Sequence, residues 1–127
     1  MDAQEKRQVI ELFLRAYNNF DVDRMAALMH PDCRFQNVSG GEVTASAAGM
    51  EEFRELAERS KTFFSSRRQE AGRFEFQGEK VTVSIAFEGT LRAGLPDGLK
   101  AGDVLKLAGR SRYEFLDGLI YRLTDYS

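Results

Sequence analysis

Apolar residues recur every three or four positions near the start of the chain. Val9, Phe13, Ala16, Tyr17 and Phe20, widened by Ile10 and Leu14, line one side of a predicted amphipathic helix. Asp21 is placed to cap a second, short helix in which Val22, Met25, Ala26 and Met29 repeat the spacing. That helix must stop near Pro31, because the residue before a proline is pushed out of helical geometry. From Asp32 to Asn37 the pattern becomes alternation, with Cys33, Phe35 and Asn37 on one face, which predicts a short strand. "SGG" at 39–41 marks a turn, and a third helix is predicted from about Ala47 to Phe64, with Met50, Phe53, Ala57 and Phe64 on its buried side and Leu56 and Phe63 widening it.

Beyond residue 70 the period is two almost to the end. Phe74 and Phe76, then Val81, Val83, Ile85 and Phe87, then Leu105 and Leu107 on to Tyr113 and Phe115, then residues 119–126, predict four antiparallel strands. "QGEK" at 77–80 and "LDGL" at 116–119 read as hairpin turns, the second with the Asp-Gly pair favoured there. The Gly-rich stretch 93–103 reads as an exposed loop.

Helices grouped early and strands late predict an α+β fold, and 127 residues suit a single domain, 1–127, with one core. The balance of 18 basic and 20 acidic residues offers no general attraction for nucleic acid or an anionic membrane. One cysteine forms no internal disulfide, and the charged N-terminus lacks a signal peptide's apolar run, so the cytosol is the expected compartment. No phosphate-binding loop and no set of metal ligands is present, so no cofactor is expected.

The segment "AYNNFDVDRMAALMHPDCRFQNVSGG", the helix "GMEEFREL" and the closing "YEFLDGLIYRLTDYS" together resemble the nuclear transport factor 2-like superfamily, in its SnoaL-like and ketosteroid isomerase-like group. The resemblance implies a cystatin-like curved antiparallel sheet wrapped around three N-terminal helices, a cone with an internal apolar pocket, and a homodimer formed through the outer face of the sheet. It also offers a test of chemistry. Ketosteroid isomerisation needs a carboxylate base and two acidic donors. The base position falls on Asn37, the tyrosine donor position near Phe13 and the aspartic acid donor position near Ser111, so none of the three carries the required group.

Other polar groups are available for a pocket. A two-residue turn at Asp117 and Gly118 makes paired residue numbers sum to 235, so Ser111 opposes Thr124, Tyr113 opposes Arg122 and Phe115 opposes Ile120 on one face. The same register pairs Arg110 with Asp125 on the outer face. A one-residue bulge would instead move Arg122 outward. The candidate pocket residues are therefore Asn37, Tyr17, Phe13, Phe35, Ser111, Tyr113 and Arg122. Such a set binds a carbonyl or carboxylate but lacks an evident base.

Elsewhere the bland reading prevails. His30 reads as a helix-end residue, Asp32 as a turn residue, Cys33 as a small buried hydrophobe, and the charged run 58–70 as a solvated surface. Three functions follow: a binding protein for a small hydrophobic molecule with a carbonyl or acid group; a cofactor-independent isomerase, cyclase, dehydratase or hydrolase, favoured if Asp125 or Glu42 turns inward; and a dimeric interaction module whose cone is filled by side chains.

Overall fold

The computed structural model describes all residues, 1–127. Helix α1, Ala3–Asn18, starts at a capping box in which the Asp2 carboxylate accepts from the Glu5 N–H and the Glu5 carboxylate accepts from the Asp2 N–H. Phe20 takes a left-handed conformation, φ 57°, which turns the chain into α2, Val22–Ala27. Asp21 caps α2 as its position predicts, accepting from the Arg24 N–H at 3.1 Å.

Strand β1 runs Met29–Ser39, so Met29 and His30 belong to the strand and not to the helix before it. Strand β2, Glu42–Ala48, has no counterpart in the sequence reading, because its small residues carry no alternation of large side chains. Helix α3 is correspondingly shorter than expected, Met50–Lys61, and Ala47 and Phe64 lie in the flanking strands. The remaining strands are β3, Phe64–Gln77; β4, Lys80–Leu91; β5, Val104–Leu116; and β6, Leu119–Tyr126.

All six strands form one sheet in the order β2-β1-β6-β5-β4-β3. Every neighbouring pair is antiparallel except β1 and β6, which run parallel. The fold is thus α+β, with a curled sheet whose register slips at several bulges, and each bulge bends its strand. α1 lies against β3, and α3 against β1 and β2, so the helices close the concave face. Ile10, Met29, Cys33, Val81, Val83 and Ile120 fill the base of the cone, each no more than 2% exposed.

The end of α1 is tied to β3 from both sides. The Asn18 side chain accepts from the Gln69 N–H at 2.7 Å and donates to the Gln69 carbonyl at 3.1 Å. This double bond pair fixes the height at which Tyr17, one residue earlier, meets the sheet.

Candidate functional site

The site is set by one extra residue in β6. Near the turn, Leu116 pairs with Leu119 and Phe115 with Ile120, the register expected of a two-residue loop. Tyr121 is then left unopposed, and from there Glu114 pairs with Arg122, Tyr113 with Leu123 and Ser111 with Asp125. A one-residue slip sends every later side chain to the opposite face. Arg122 therefore lies outside, more than half exposed, with its Nε 3.5 Å from the Glu114 carboxylate. Asp125, expected opposite Arg110 on the outer face, turns into the cone, and Arg110 stacks on the Tyr126 ring instead.

Inside, Asn37 on β1, Asp125 on β6 and Ser111 on β5 occupy one row across three adjacent strands. Ser111 donates its hydroxyl to the Asp125 Oδ1 at 2.6 Å. Asp125 Oδ2 makes no protein hydrogen bond and is open to the cavity. Burial pushes the carboxyl of Asp125 up to about 6, and the Ser111 hydroxyl offsets part of that rise. A carboxyl in that range exchanges protons in both directions near neutral pH. Asn37 donates to the Thr44 hydroxyl at 2.7 Å, which fixes the orientation of its amide.

Tyr17 approaches the same place from α1. Burial raises its phenol above the ordinary value, the nearby Arg67 cation opposes that rise, and the charge of Asp125 adds to it. At neutral pH the phenol therefore keeps its proton and acts as a donor. Arg67 lies within the charged run 58–70, which reads as solvated surface, yet it is only 5% exposed. Its guanidinium carbon lies 3.7 Å from the Tyr17 ring centre and 4.6 Å from that of Phe20, and its Nε donates to the Tyr17 carbonyl at 3.0 Å. Aromatic faces thus take the place of a carboxylate partner, and burial pulls the guanidinium below its usual range.

Two chambers open on this polar group. The inner chamber, about 260 Å³, is walled by Phe13, Phe35, Phe53, Leu56, Tyr113 and Leu123 among others. The outer chamber, about 300 Å³, lies between Phe64, Ile85, Phe87, Leu105 and Leu107. Tyr17, Asn37, Gln69 and Asp125 line both.

Of the seven residues singled out from the sequence, Asn37, Tyr17, Phe13, Phe35 and Tyr113 line the inner chamber, Ser111 lines the outer one, and Arg122 is separated from them by the sheet. Glu42 stays exposed on β2. His30 is also remote, its ring edge-on to Tyr121 and its Nδ1 accepting from the Asp32 N–H. Cys33 is wholly buried, and burial pushes its thiol up, which suits packing and not nucleophilic attack. The sequence reading places Asp125 on the outer face, as a base only if it turns inward, and misses Arg67 and Gln69. A signal for the first existed: Ile120 and Leu123 are both apolar and three apart, and both face inward only if the strand holds an extra residue.

A helix-backed, curled six-stranded sheet is the architecture of small α+β cone proteins. The chain belongs to the SnoaL-like domain family, whose model matches residues 10–123. No match is found among curated proteins. Among solved structures it is similar to TsrD from Streptomyces laurentii, at 22% identity and a TM-score of 0.80 over 98% of this chain and 89% of that one. It is similar also to a putative polyketide cyclase from Xanthomonas campestris, at 22% identity and 0.75 over 98% and 90%. A third is an epoxide hydrolase of the LEH-like kind from M. tuberculosis, at 20% identity and 0.76 over 97% and 82%. Identities this low carry the fold and leave the chemistry to the site.

Proposed function

We propose that the protein is a cofactor-independent acid–base enzyme acting on a small, largely apolar carbonyl compound, with Asp125 as the group that takes and returns the proton. The observation that carries this reading is the inward Asp125 carboxyl, held by Ser111 at 2.6 Å and raised to about 6, in an apolar cavity. In the forward step a C–H bond next to the substrate carbonyl breaks. The proton goes to Asp125, and the electron pair moves through the carbon onto the carbonyl oxygen as an enolate. The Tyr17 hydroxyl and the Asn37 amide are the donors available to that oxygen. Return of the proton to another carbon of the same skeleton completes an isomerisation; attack of the enolate carbon on a second carbonyl of the same molecule forms a C–C bond and closes a ring, and the proton held by Asp125 then passes to the new alkoxide.

The test is deuterium uptake by 2-tetralone in D₂O, followed by NMR. Exchange should accelerate over buffer, with a rate that rises to a plateau above about pH 6, and Asp125→Asn should remove it by about a hundredfold or more. No acceleration by the unaltered protein, or full acceleration by the variant, overturns the assignment. Binding of the ketone without exchange would return the protein to the simpler role of a carrier.

A second reading has its own support. Asn37 and Asp125 are adjacent across β1 and β6 and both are partly exposed, so a water held between them could be activated for hydrolysis, the reaction class named for the M. tuberculosis structure. Turnover of styrene oxide to its diol, lost in Asp125→Asn, would favour it over proton transfer at carbon.

A further inference from the structure

The cavity is divided, and its division describes the molecule it takes. We propose that the substrate is an elongated compound with two aromatic arms meeting at an oxygen-bearing carbon, one arm in each chamber and the oxygen at the waist. This rests on the acid–base reading of Asp125 for the reaction, and on the cavity alone for the shape.

Three observations support it. The residues common to the two chambers are Tyr17, Asn37, Gln69 and Asp125, so the polar groups lie on the boundary that the chambers share. Buried polar groups are costly unless partnered, which places a ligand's polar atom at that boundary and its apolar parts on either side. Each chamber also has aromatic walls with ring edges turned to ring faces. Phe13 meets Tyr113 at 6.1 Å and Phe35 meets Phe53 at 6.3 Å on the inner side, and Phe64 meets Phe87 at 5.4 Å on the outer side. Such walls suit flat aromatic arms.

The third observation is size. The volumes of 260 and 300 Å³ each sit at or below the lower end of the range of roughly 300–1,000 Å³ typical of small-molecule sites. Together the chambers fall well inside it. The outer chamber is moreover kept open by the backbone: Gly89 has no side chain, and a Cβ there would meet the Phe64 ring at 2.7 Å. Phe64 therefore lies flat against β4 and its face remains part of the wall.

The test compares 1,3-diphenylpropan-2-one, which has two aromatic arms on a central carbonyl, with phenylacetone, which has one, by isothermal titration calorimetry. The two-armed ketone should bind at least tenfold more tightly. Ala45→Phe, which narrows the inner chamber, and Leu107→Trp, which narrows the outer one, should each reduce its affinity to that of phenylacetone. Both positions are partly or largely exposed, so neither substitution disturbs the packed core.

Equal affinities for the two ketones, no binding of either, or a two-armed affinity unchanged by both substitutions would overturn the shape assignment. Asp125→Asn separates this from the chemistry. If the variant keeps tight binding of the two-armed ketone while deuterium exchange was never accelerated by the unaltered protein, the acid–base reading fails and the divided cavity stands. If exchange depends on Asp125 but the second arm adds no affinity, the reverse holds.

Discussion

Charges inside the cone and charges outside it are arranged on opposite principles. On the outer face of β5 and β6, Arg122 lies 3.5 Å from Glu114 in solvent, and the two cancel at little cost or gain. Inside, Asp125 and Arg67 are charged groups without an ion-pair partner. One is held by a hydroxyl and the other by two aromatic faces, and burial drives both toward their neutral forms. The contrast teaches that the ionisation of a residue here depends on the side of the sheet it occupies more than on its type. Asp125 and Arg122 are three residues apart on one strand, and a single bulge decides which of them meets the cavity.

The largest effect should come from placing a charge where the bulge turns the strand inward. Leu123→Arg sets a guanidinium opposite Tyr113 in the apolar cavity, at a position that the simple register would leave outside. An unpaired guanidinium in an apolar cavity costs about 3–5 kcal/mol, enough to unfold a marginal domain. Urea unfolding should show a large fall in midpoint or no cooperative transition at all. A variant as stable as the parent would mean that residue 123 faces outward and that Tyr121 does not set the site.

The hairpin also shows what was legible in the sequence. α1 and α3 have broad apolar stripes, and β4 to β6 have clear alternation, because each buries one face against a single neighbour. Strand β2 and the first half of β3 have neither. In β3 the inward residues include Arg67 and Gln69, which serve the cavity and the end of α1 in place of the core, so polarity there reads as surface. The Asp-Gly turn correctly predicted pairing for the first residues of β6 and then misled, since turn chemistry governs only the nearest pairs. Asp125 was hidden by parity and not by residue type.

Next in size is Arg67. Arg67→Ala leaves the Tyr17 carbonyl without its donor and opens space between Tyr17 and Phe20, a loss of about 3 kcal/mol. Arg67→Met fills the same space without the buried charge and should cost about 1 kcal/mol or less. Denaturant midpoints for the pair give the answer. Equal losses in the two variants would mean that the cation itself, and not its volume, holds the two rings.

A smaller effect, distinguished by its sign, is expected at Asp125. Its carboxyl titrates near 6 in the folded protein and close to 3.8 when unfolded, so the folded state favours the protonated form. The associated stability is complete below about pH 3.8 and is lost as pH rises through 6, by up to about 3 kcal/mol, less whatever solvent reaches the carboxylate through the cavity. Asp125→Asn should therefore match the parent in acid and exceed it in urea midpoint at pH 8. A variant less stable than the parent at pH 8 would show that the Ser111 bond outweighs the burial.

The outer pair completes the comparison from its weak end. Glu114 and Arg122 are linked only by an exposed contact, and the Arg122 side chain is 53% exposed. A double-mutant cycle with Glu114→Ala and Arg122→Ala should give a coupling of about 0.5 kcal/mol or less, falling further in 0.5 M salt as the charges are screened. Deuterium exchange should be unchanged in either variant, because neither side chain reaches the cavity. If Arg122→Ala instead slows exchange with no loss of stability, the guanidinium acts across the sheet on Asp125. The two faces would then be coupled through β6, and the bulge would serve to hold both charged residues in relation to each other as well as to choose between them.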